Sequence, residues 1–179
     1  RQPEAGSFVV ASALGGVTDA LVAAGQAAME GQGSYRETAR ELRDRHIQCA
    51  LDLLEPGTYA AAELEMKALL SHLDDLLYGI FLLRELSDRT RDELIGLGER
   101  LSVPILHGHF QDLGLDSTRL SALEMMKTDD RFGNARLDLE HSADRFRELD
   151  LQSNSLFIME GFVGTTEDGT PTTLGRGGS

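Results

Sequence analysis

The sequence predicts a mixed α/β fold. Short apolar runs rich in β-branched residues lie near both ends of the 179-residue chain, at residues 8–12 and 155–159. Continuous apolar runs of this length are typical of strands that are covered on both faces, as in parallel sheets. Long stretches of helical periodicity lie between them. The helices alone would suggest a bundle, but strands on both sides of the helical region favour an α/β chain.

Helical periodicity accounts for most of the chain between the two strands. The predicted helices cover residues 17–29, 34–54 (stopped by Pro56) and 58–86, a fourth that begins after residue 87, and a short one at 137–149. Ser34 with Glu37, and Thr90 with Glu93, fit capping boxes that would open the second and fourth helices. Pro104 is expected to kink or end the fourth helix, because proline has no backbone N–H.

The last third of the chain predicts strands and loops rather than long helices. Residues 115–128 are expected to hold a short strand or two, and residues 129–134 a loop. After the strand at residues 155–159, a turn at 165–169 precedes a short strand at 172–174. The chain then enters a glycine-rich loop.

Composition restricts the classes of partner. The net charge is −13, and Lys67 and Lys127 are the only lysines, which argues against nucleic acid and anionic membranes as partners. No apolar run is long enough to span a bilayer. The single cysteine, Cys49, excludes an intramolecular disulfide and fits a reducing cytoplasm. His107 and His109 are two residues apart and would not share a helix face, so no metal site is predicted.

The first candidate site is the turn between the first strand and the first helix. Gly15 and Gly16 turn the chain, and the free N–H groups at the start of the following helix can bind an anion. Ser12 and Thr18 add hydroxyl groups. The alternative is a plain strand-to-helix turn with Thr18 or Asp19 as the cap.

The second candidate is a glutamate beside two glycines in the fourth helix. Gly96 and Gly98 each cost about 1 kcal/mol against alanine in a helix, which suggests close packing or a nearby ligand. Glu99 could bind an ammonium group or a metal-bound water. The alternative is a surface glutamate next to a packing glycine.

The third candidate is the glycine loop at residues 175–179. Its glycines, among them Gly177 and Gly178, allow positive φ and expose backbone N–H groups to an anion. Arg176 offers a planar fork that matches a carboxylate, and Ser179 would open a following helix. A flexible linker is the alternative. No lysine follows the glycines, so this is not a Walker A loop.

Together these segments resemble the aspartate kinase family of the amino acid kinase superfamily. The pattern VVxSAxGGVTxxL stands at residues 9–21, GExxS at 98–102, and DRFG within 129–133. GFxG followed by TTLGRGGS closes the chain at residues 161–179. The segment at residues 79–86 is similar to the helical insert of the family, including members fused to homoserine dehydrogenase.

The resemblance implies a three-layer α/β/α sandwich of the amino acid kinase type, with a long helical insert at about residues 34–112. It implies transfer of a phosphoryl group from ATP, with Mg²⁺, to the β-carboxylate of L-aspartate. The product, 4-phospho-L-aspartate, is the first intermediate toward lysine, threonine, methionine and isoleucine. A cytoplasmic protein that is a homo-oligomer at full length is implied as well.

The resemblance also assigns roles to the candidate residues. Arg176 is similar to the clamp on a substrate carboxylate, and Glu99 to the partner of the substrate ammonium group. Ser12 and Thr18 match polar contacts to substrate and phosphate. For the remaining candidate residues, the resemblance implies that Gly15 and Gly16 lie near the phosphate. It implies that the substrate pocket is lined by Gly177, Gly178 and Ser179.

Parts of the family pattern are missing from residues 1–179. The family has an early lysine that contacts phosphate, and neither Lys67 nor Lys127 stands in a comparable segment. The chain also lacks an initiator methionine. We therefore expect a domain truncated at both ends, which holds the substrate-binding part without the nucleotide-binding half or a regulatory domain, and which is inactive alone.

Two other functions stay open at this point. One is a related amino acid kinase that acts on glutamate, acetylglutamate or a nucleotide, although GExxS with TTLGRGGS argues against it. The other is a non-catalytic helical module, in which the long helices of residues 34–112 support an oligomer interface. The sequence does not indicate which amino acid product would inhibit an enzyme of this family by feedback.

Overall fold

The computed structural model describes residues 7–149 and 156–175. The helices in this part of the chain are α1 (Val17–Met29), α2 (Tyr35–Leu53), α3 (Pro56–Leu83), α4 (Asp88–Asp112), α5 (Ala122–Met125) and α6 (Leu139–Arg147). The strands are β1 (Ser7–Ala11), β2 (Ser117–Arg119), β3 (Leu156–Glu160), β4 (Val163–Thr165) and β5 (Pro171–Thr173).

Three of these strands form a parallel sheet, which confirms the predicted α/β class. The strand order is β1-β3-β2, and the register places Ala11 beside Glu160 and Arg119 beside Ile158. The carboxyl ends of all three strands therefore share one edge. In open α/β sheets, ligands bind at this edge. β4 and β5 form a separate antiparallel pair.

Helices lie against both faces of the parallel sheet, and the α6 side leaves Phe8 and Val10 of β1 partly exposed. On one face, Ala11 and Ile158 pack against Val103 of α4. On the other, Phe8 stacks on Phe157 with ring centroids 5.1 Å apart, and Phe146 of α6 meets Phe8 edge-on at 5.9 Å. Alternate strand residues thus point to α4 and to α6, as the two-residue period of a strand requires.

A helical layer built from α1 to α4 holds the larger hydrophobic core. Its fully buried side chains include Leu21, Met66, Leu70, Leu73, Leu77, Leu94, Leu97 and Leu101. Each large side chain buried in this way stabilises the fold by about 1.5–3 kcal/mol relative to an exposed one. Helix α4 packs on α1, on α3 and on the sheet, so it joins the helical layer to the strands. In the part of the chain that the structure describes, no helix has the length and apolarity to cross a membrane.

Both predicted capping boxes are wrong. Ser34 adopts a helical conformation (φ −60°, ψ −22°), and its hydroxyl caps none of the described N–H groups. Helix α4 is capped instead by Ser87, whose Oγ accepts from the Thr90 backbone N–H at 3.2 Å. Ser87 has the extended backbone (φ −68°, ψ 158°) that an N-cap residue needs. The spacing of Ser/Thr and Glu suggests a cap, but the backbone dihedral decides which residue fills it.

The prediction that the second helix stops before Pro56 is confirmed, because α2 ends at Leu53, whereas Pro104 does not end α4. Pro56 follows the end of α2 but occupies the first turn of α3, where its missing N–H is no loss. Pro104 lies inside α4, which continues to Asp112. Its neighbours Val103 and Ile105 are 0% and 1% exposed, so burial on both sides of the proline stabilises the helix against one lost hydrogen bond.

One buried histidine lies in the helical layer without full hydrogen bonding. His46 of α2 is 0% exposed, and its Nδ1 lies 2.6 Å from the Leu42 carbonyl oxygen, which fits a protonated Nδ1 donating to that oxygen. Its Nε2 has no hydrogen-bond partner among the described residues. Burial lowers the pKa of His46, partly offset by the Leu42 hydrogen bond and reinforced by the nearby Arg45 charge.

This histidine predicts a loss of stability in acid. Because the folded protein resists protonating His46, the unfolded state gains protons first as the pH falls through the ordinary value of 6.5. We expect the free energy of unfolding to fall below that pH, and to fall less in the His46→Gln variant. Urea denaturation at several pH values would measure the difference. Equal pH dependence in the two proteins would contradict the prediction.

Candidate functional site

The candidate site is built on one face of helix α4. Asp92, Gly96, Glu99 and Ser102 follow one another at intervals of three or four residues, so they lie on the same side of the helix. Three loop segments dock against this face. They are the turn after β1, the turn between β3 and β4, and the end of β5 with the loop before α6.

The turn after β1 approaches α4 at Gly98. A Cβ placed on Gly98 would lie 2.9 Å from the Cβ of Ala13 and 3.4 Å from a methyl of Val17. Ser102 Oγ donates to the Ser12 carbonyl oxygen at 2.9 Å and to the Glu99 carbonyl oxygen at 2.8 Å. Close packing therefore explains Gly98, as one of the two sequence interpretations predicted.

Glu99 is buried beneath this turn. It is 5% exposed, and its Oε2 has no hydrogen-bond partner among the described residues. Burial raises the pKa of Glu99 to about 7, although its own backbone N–H and that of Ala13 lower it. The alternative of a surface glutamate is wrong. A buried carboxyl with an unsatisfied oxygen is costly for a fold, and such groups concentrate at functional sites.

The glycine turn itself is exposed and uncapped. Gly16 has a φ of 80°, which favours glycine, and stands at the N-cap position of α1 without a side-chain hydrogen bond from the described residues. Neither Thr18 nor Asp19 is the cap, so that part of the alternative is wrong. Ser12 and Gly15 are exposed and Thr18 is half-buried. The Val17 N–H donates to the Leu14 carbonyl oxygen at 2.9 Å, and the remaining N–H groups of the first turn, which no described side chain caps, can receive an anion.

The turn between β3 and β4 contains a strained residue that the sequence did not reveal. Phe162 has a φ of 66°, and the Val163 N–H donates to the Gly161 carbonyl oxygen at 2.8 Å, which is the geometry of the rare γ-turn with positive φ. Such strain clusters at functional sites. Across the turn, a Cβ on Gly96 would meet Val163 Cγ1 at 2.9 Å. The available signal was the pair of glycines flanking Phe162-Val163.

The end of β5 is tied to α4 by Asp92. Its carboxylate is 1% exposed and accepts from Thr173 N at 2.9 Å, Thr173 Oγ1 at 2.8 Å and Gly133 N at 2.8 Å. Asp92 lies between Thr90 and Glu93 of the supposed capping box, and the sequence analysis gave it no role of its own. The charge pattern does not indicate that Asp92 joins these segments, because its partners Gly133 and Thr173 are distant in sequence.

Four predicted site residues, Arg176, Gly177, Gly178 and Ser179, lie outside the described residues. The last described residue, Gly175, has a φ of 79°, and an added Cβ would lie 2.5 Å from Asn134 Oδ1. The chain is therefore held closely up to the position before Arg176. Ser12 in the β1–α1 turn and Glu99 in α4 lie close together, because the Ser102 hydroxyl is within hydrogen-bond distance of both carbonyl oxygens.

Neither lysine reaches the glycine turn. Lys67 forms an ion pair with Glu63 at 3.0 Å, and the Lys127 ammonium donates to Thr165 Oγ1 at 3.1 Å. Among residues 7–149 and 156–175, no group of three His, Cys, Asp or Glu side chains could hold a metal ion.

Comparison with known proteins gives consistent matches. A family model described as the amino acid kinase family matches residues 5–179. The chain is 32% identical over 178 residues to "Aspartokinase" of Chlamydia trachomatis, covering 99% of this chain and 38% of that protein. It is 32% identical over 186 residues to "Aspartokinase 1, chloroplastic" of Arabidopsis thaliana, covering 99% of this chain and 32% of that protein.

Solved structures show the same fold. Escherichia coli aspartokinase III in complex with lysine and aspartate superposes with a TM-score of 0.85 at 28% identity, covering 96% of this chain and 38% of the other. Its complex with aspartate and ADP gives the same score and identity, and covers 96% and 37%. The chain thus spans well under half the length of the relatives and structures that it matches.

The close approach at Gly98 predicts opposite effects for two glycine-to-alanine substitutions. Gly98→Ala should lower the free energy of unfolding by about 1–3 kcal/mol, because Ala13 Cβ belongs to a packed turn and must move. Gly79→Ala, in α3 with no described atom within 4 Å of the new Cβ, should raise it by about 0.5–1 kcal/mol. Chemical denaturation measures both. A stabilising Gly98→Ala would contradict the packing described.

Proposed function

The chain belongs to the amino acid kinase family, and on that premise we propose that the protein containing it phosphorylates the β-carboxylate of L-aspartate with ATP. The product would be 4-phospho-L-aspartate. One observation carries the proposal: Glu99 is buried beside the glycine turn with an unsatisfied carboxylate oxygen. Relatives named aspartokinase, and an aspartokinase structure that holds aspartate and ADP, support the choice of substrates.

The proposed roles follow from the chemistry of each group. Glu99 would bind the ammonium group of aspartate, because a buried carboxylate gains most from a positive partner. Arg176 would hold a substrate carboxylate through its planar fork. The other proposed contacts are Ser12 and Thr18 with substrate and phosphate, Gly15 and Gly16 with phosphate, and Gly177, Gly178 and Ser179 along the pocket.

The reaction needs positioning more than acid–base chemistry. The attacking β-carboxylate is already ionised near neutral pH, so the protein need not remove a proton from it. Orientation of the two reactants and neutralisation of the transferred charge supply most of the catalysis in phosphoryl transfer. ATP supplies the phosphoryl group and leaves as ADP, and the N–H groups at the start of α1 that no described side chain caps fit its anionic oxygens. We assign no Mg²⁺ ligand; Mg²⁺ in such sites is usually held by one or two carboxylates together with the phosphates of the nucleotide.

Wider assignments rest on the resemblance alone. We propose that residues 1–179 are the substrate-binding part of the kinase domain, with a helical insert at about residues 34–112. We further propose a cytoplasmic homo-oligomer that catalyses the first step toward lysine, threonine, methionine and isoleucine.

The acceptor specificity of the full-length protein tests the proposed function. With ATP and Mg²⁺, aspartate should give an acyl phosphate that hydroxylamine traps, and glutamate should give far less. Residues 1–179 alone should give none, because Lys67 and Lys127 both lie in other interactions. A preference for glutamate, or product from the isolated chain, would refute the corresponding part of the proposal.

Substitution of Glu99 should weaken aspartate binding and alter its pH dependence. With a pKa of about 7, Glu99 is increasingly protonated below neutral pH and then offers no charge to an ammonium group. The KM for aspartate should therefore rise as the pH falls below 7. Glu99→Gln should raise that KM about tenfold or more at pH 8 and remove the rise in acid.

Glu93→Gln provides the matched control, because Glu93 lies on the same helix but pairs with His72 at 2.8 Å. Steady-state kinetics between about pH 6 and about pH 8 would compare the three proteins near the pKa of Glu99. An unchanged KM and pH profile in Glu99→Gln would remove Glu99 from the substrate site.

A further inference from the structure

The buried carboxylate of Asp92 joins three segments that are far apart in sequence. Its Oδ2 accepts from the Gly133 and Thr173 backbone N–H groups, and its Oδ1 accepts from the Thr173 hydroxyl. All three donors are neutral, and the group is 1% exposed. We call Asp92, Gly133 and Thr173 together the Asp92 junction.

The two segments held by the junction also bind each other. Ala135 N donates to the Thr173 carbonyl oxygen at 2.9 Å, and the hydroxyls of Thr128 and Thr172 lie 2.7 Å apart. Asn134 closes against Gly175. The loop at residues 128–135 and the strand β5 therefore form one unit, and Asp92 attaches that unit to α4.

The junction and Glu99 share a helix face. Asp92 and Glu99 are seven residues apart, which places them two turns and about 10 Å apart along the same side of α4. Thr173 precedes Arg176 by three residues. The rigid helix therefore sets the distance between Glu99 and the segment that leads into the proposed carboxylate clamp.

We propose that Asp92 is a positioning residue for aspartate binding, which fixes the approach to Arg176 relative to Glu99. This inference rests on the proposed function. It also gives the Asp-Arg-Phe-Gly loop a role, because Gly133, with a φ of 80°, directs its N–H to Asp92. Small misplacements of substrate-binding groups can cost about a hundredfold in rate.

Substitutions in the full-length protein separate positioning from stability. Asp92→Ala leaves two buried N–H groups and a hydroxyl without their acceptor, whereas Asp92→Asn keeps an oxygen for both N–H groups. We expect the KM for aspartate to rise about tenfold or more in Asp92→Ala and much less in Asp92→Asn. The KM for ATP should stay unchanged. A purely structural role would lower kcat through loss of active protein and leave both KM values alone.

Thr173 supplies a second test in case Asp92→Ala does not fold. Thr173→Val keeps the shape but loses the hydroxyl donor, and Thr173→Ser keeps the donor. The valine variant should raise the KM for aspartate several-fold, and the serine variant should restore a low value. Asp88→Asn, an exposed change in the first turn of α4, is the control and should resemble the unmodified protein.

Hydrogen exchange gives a readout that does not depend on activity. Amides of Gly133 and Thr173 should exchange about tenfold faster or more in Asp92→Ala, or in Thr173→Val where Asp92→Ala does not fold, while those of the α1–α3 core keep their rates. If the unmodified protein does not phosphorylate aspartate but the variants show this faster amide exchange, the proposed function fails and the structural role of the junction is retained. Unchanged exchange, or equal shifts in the KM for aspartate and for ATP, would overturn the positioning role.

Discussion

The close contact between helix α4 and the turn after β1 is the constraint on which the rest of the site depends. Only glycine at position 98 lets Ala13 and Val17 approach the helix, because any Cβ there would lie 2.9 Å from Ala13. This approach buries Glu99 and brings Ser102 to the Ser12 carbonyl oxygen. A glycine that lowers helix propensity is thus the residue that allows a loop and a carboxylate to share one small space.

Two buried carboxylates on α4 show how similar groups take different roles. Asp92 has three donors among the described residues and holds the β5 segment, whereas Glu99 has an oxygen without a partner there. A satisfied buried carboxylate organises structure, and an unsatisfied one can gain from a ligand. Hydrogen bonding, rather than burial alone, distinguishes the two.

Local signals predicted most of the elements but not how they begin or connect. The apolar run near Val9 predicted β1 and the helical periodicity from Val17 predicted α1, because both patterns depend on residues that are close together in the sequence. The two capping boxes were wrong, because Ser34 has a helical backbone and Ser87, rather than Thr90, has the extended backbone of a capping residue. The end of a helix at Pro104 was wrong because burial outweighs one missing hydrogen bond.

The sequence by itself determined the α/β class, the parallel strands and the family resemblance, and it marked Gly98 and Glu99 as candidates, since each depends on residue type and spacing along the chain. Only the tertiary structure decided that Glu99 is buried with a raised pKa, that Phe162 is strained and that Asp92 accepts hydrogen bonds from Thr173 and Gly133. The physical reason is that the contacts of Glu99 and Asp92 join groups 41 to 86 residues apart, which leave no local pattern in the sequence. The strain at Phe162 is a backbone conformation that residue type does not fix.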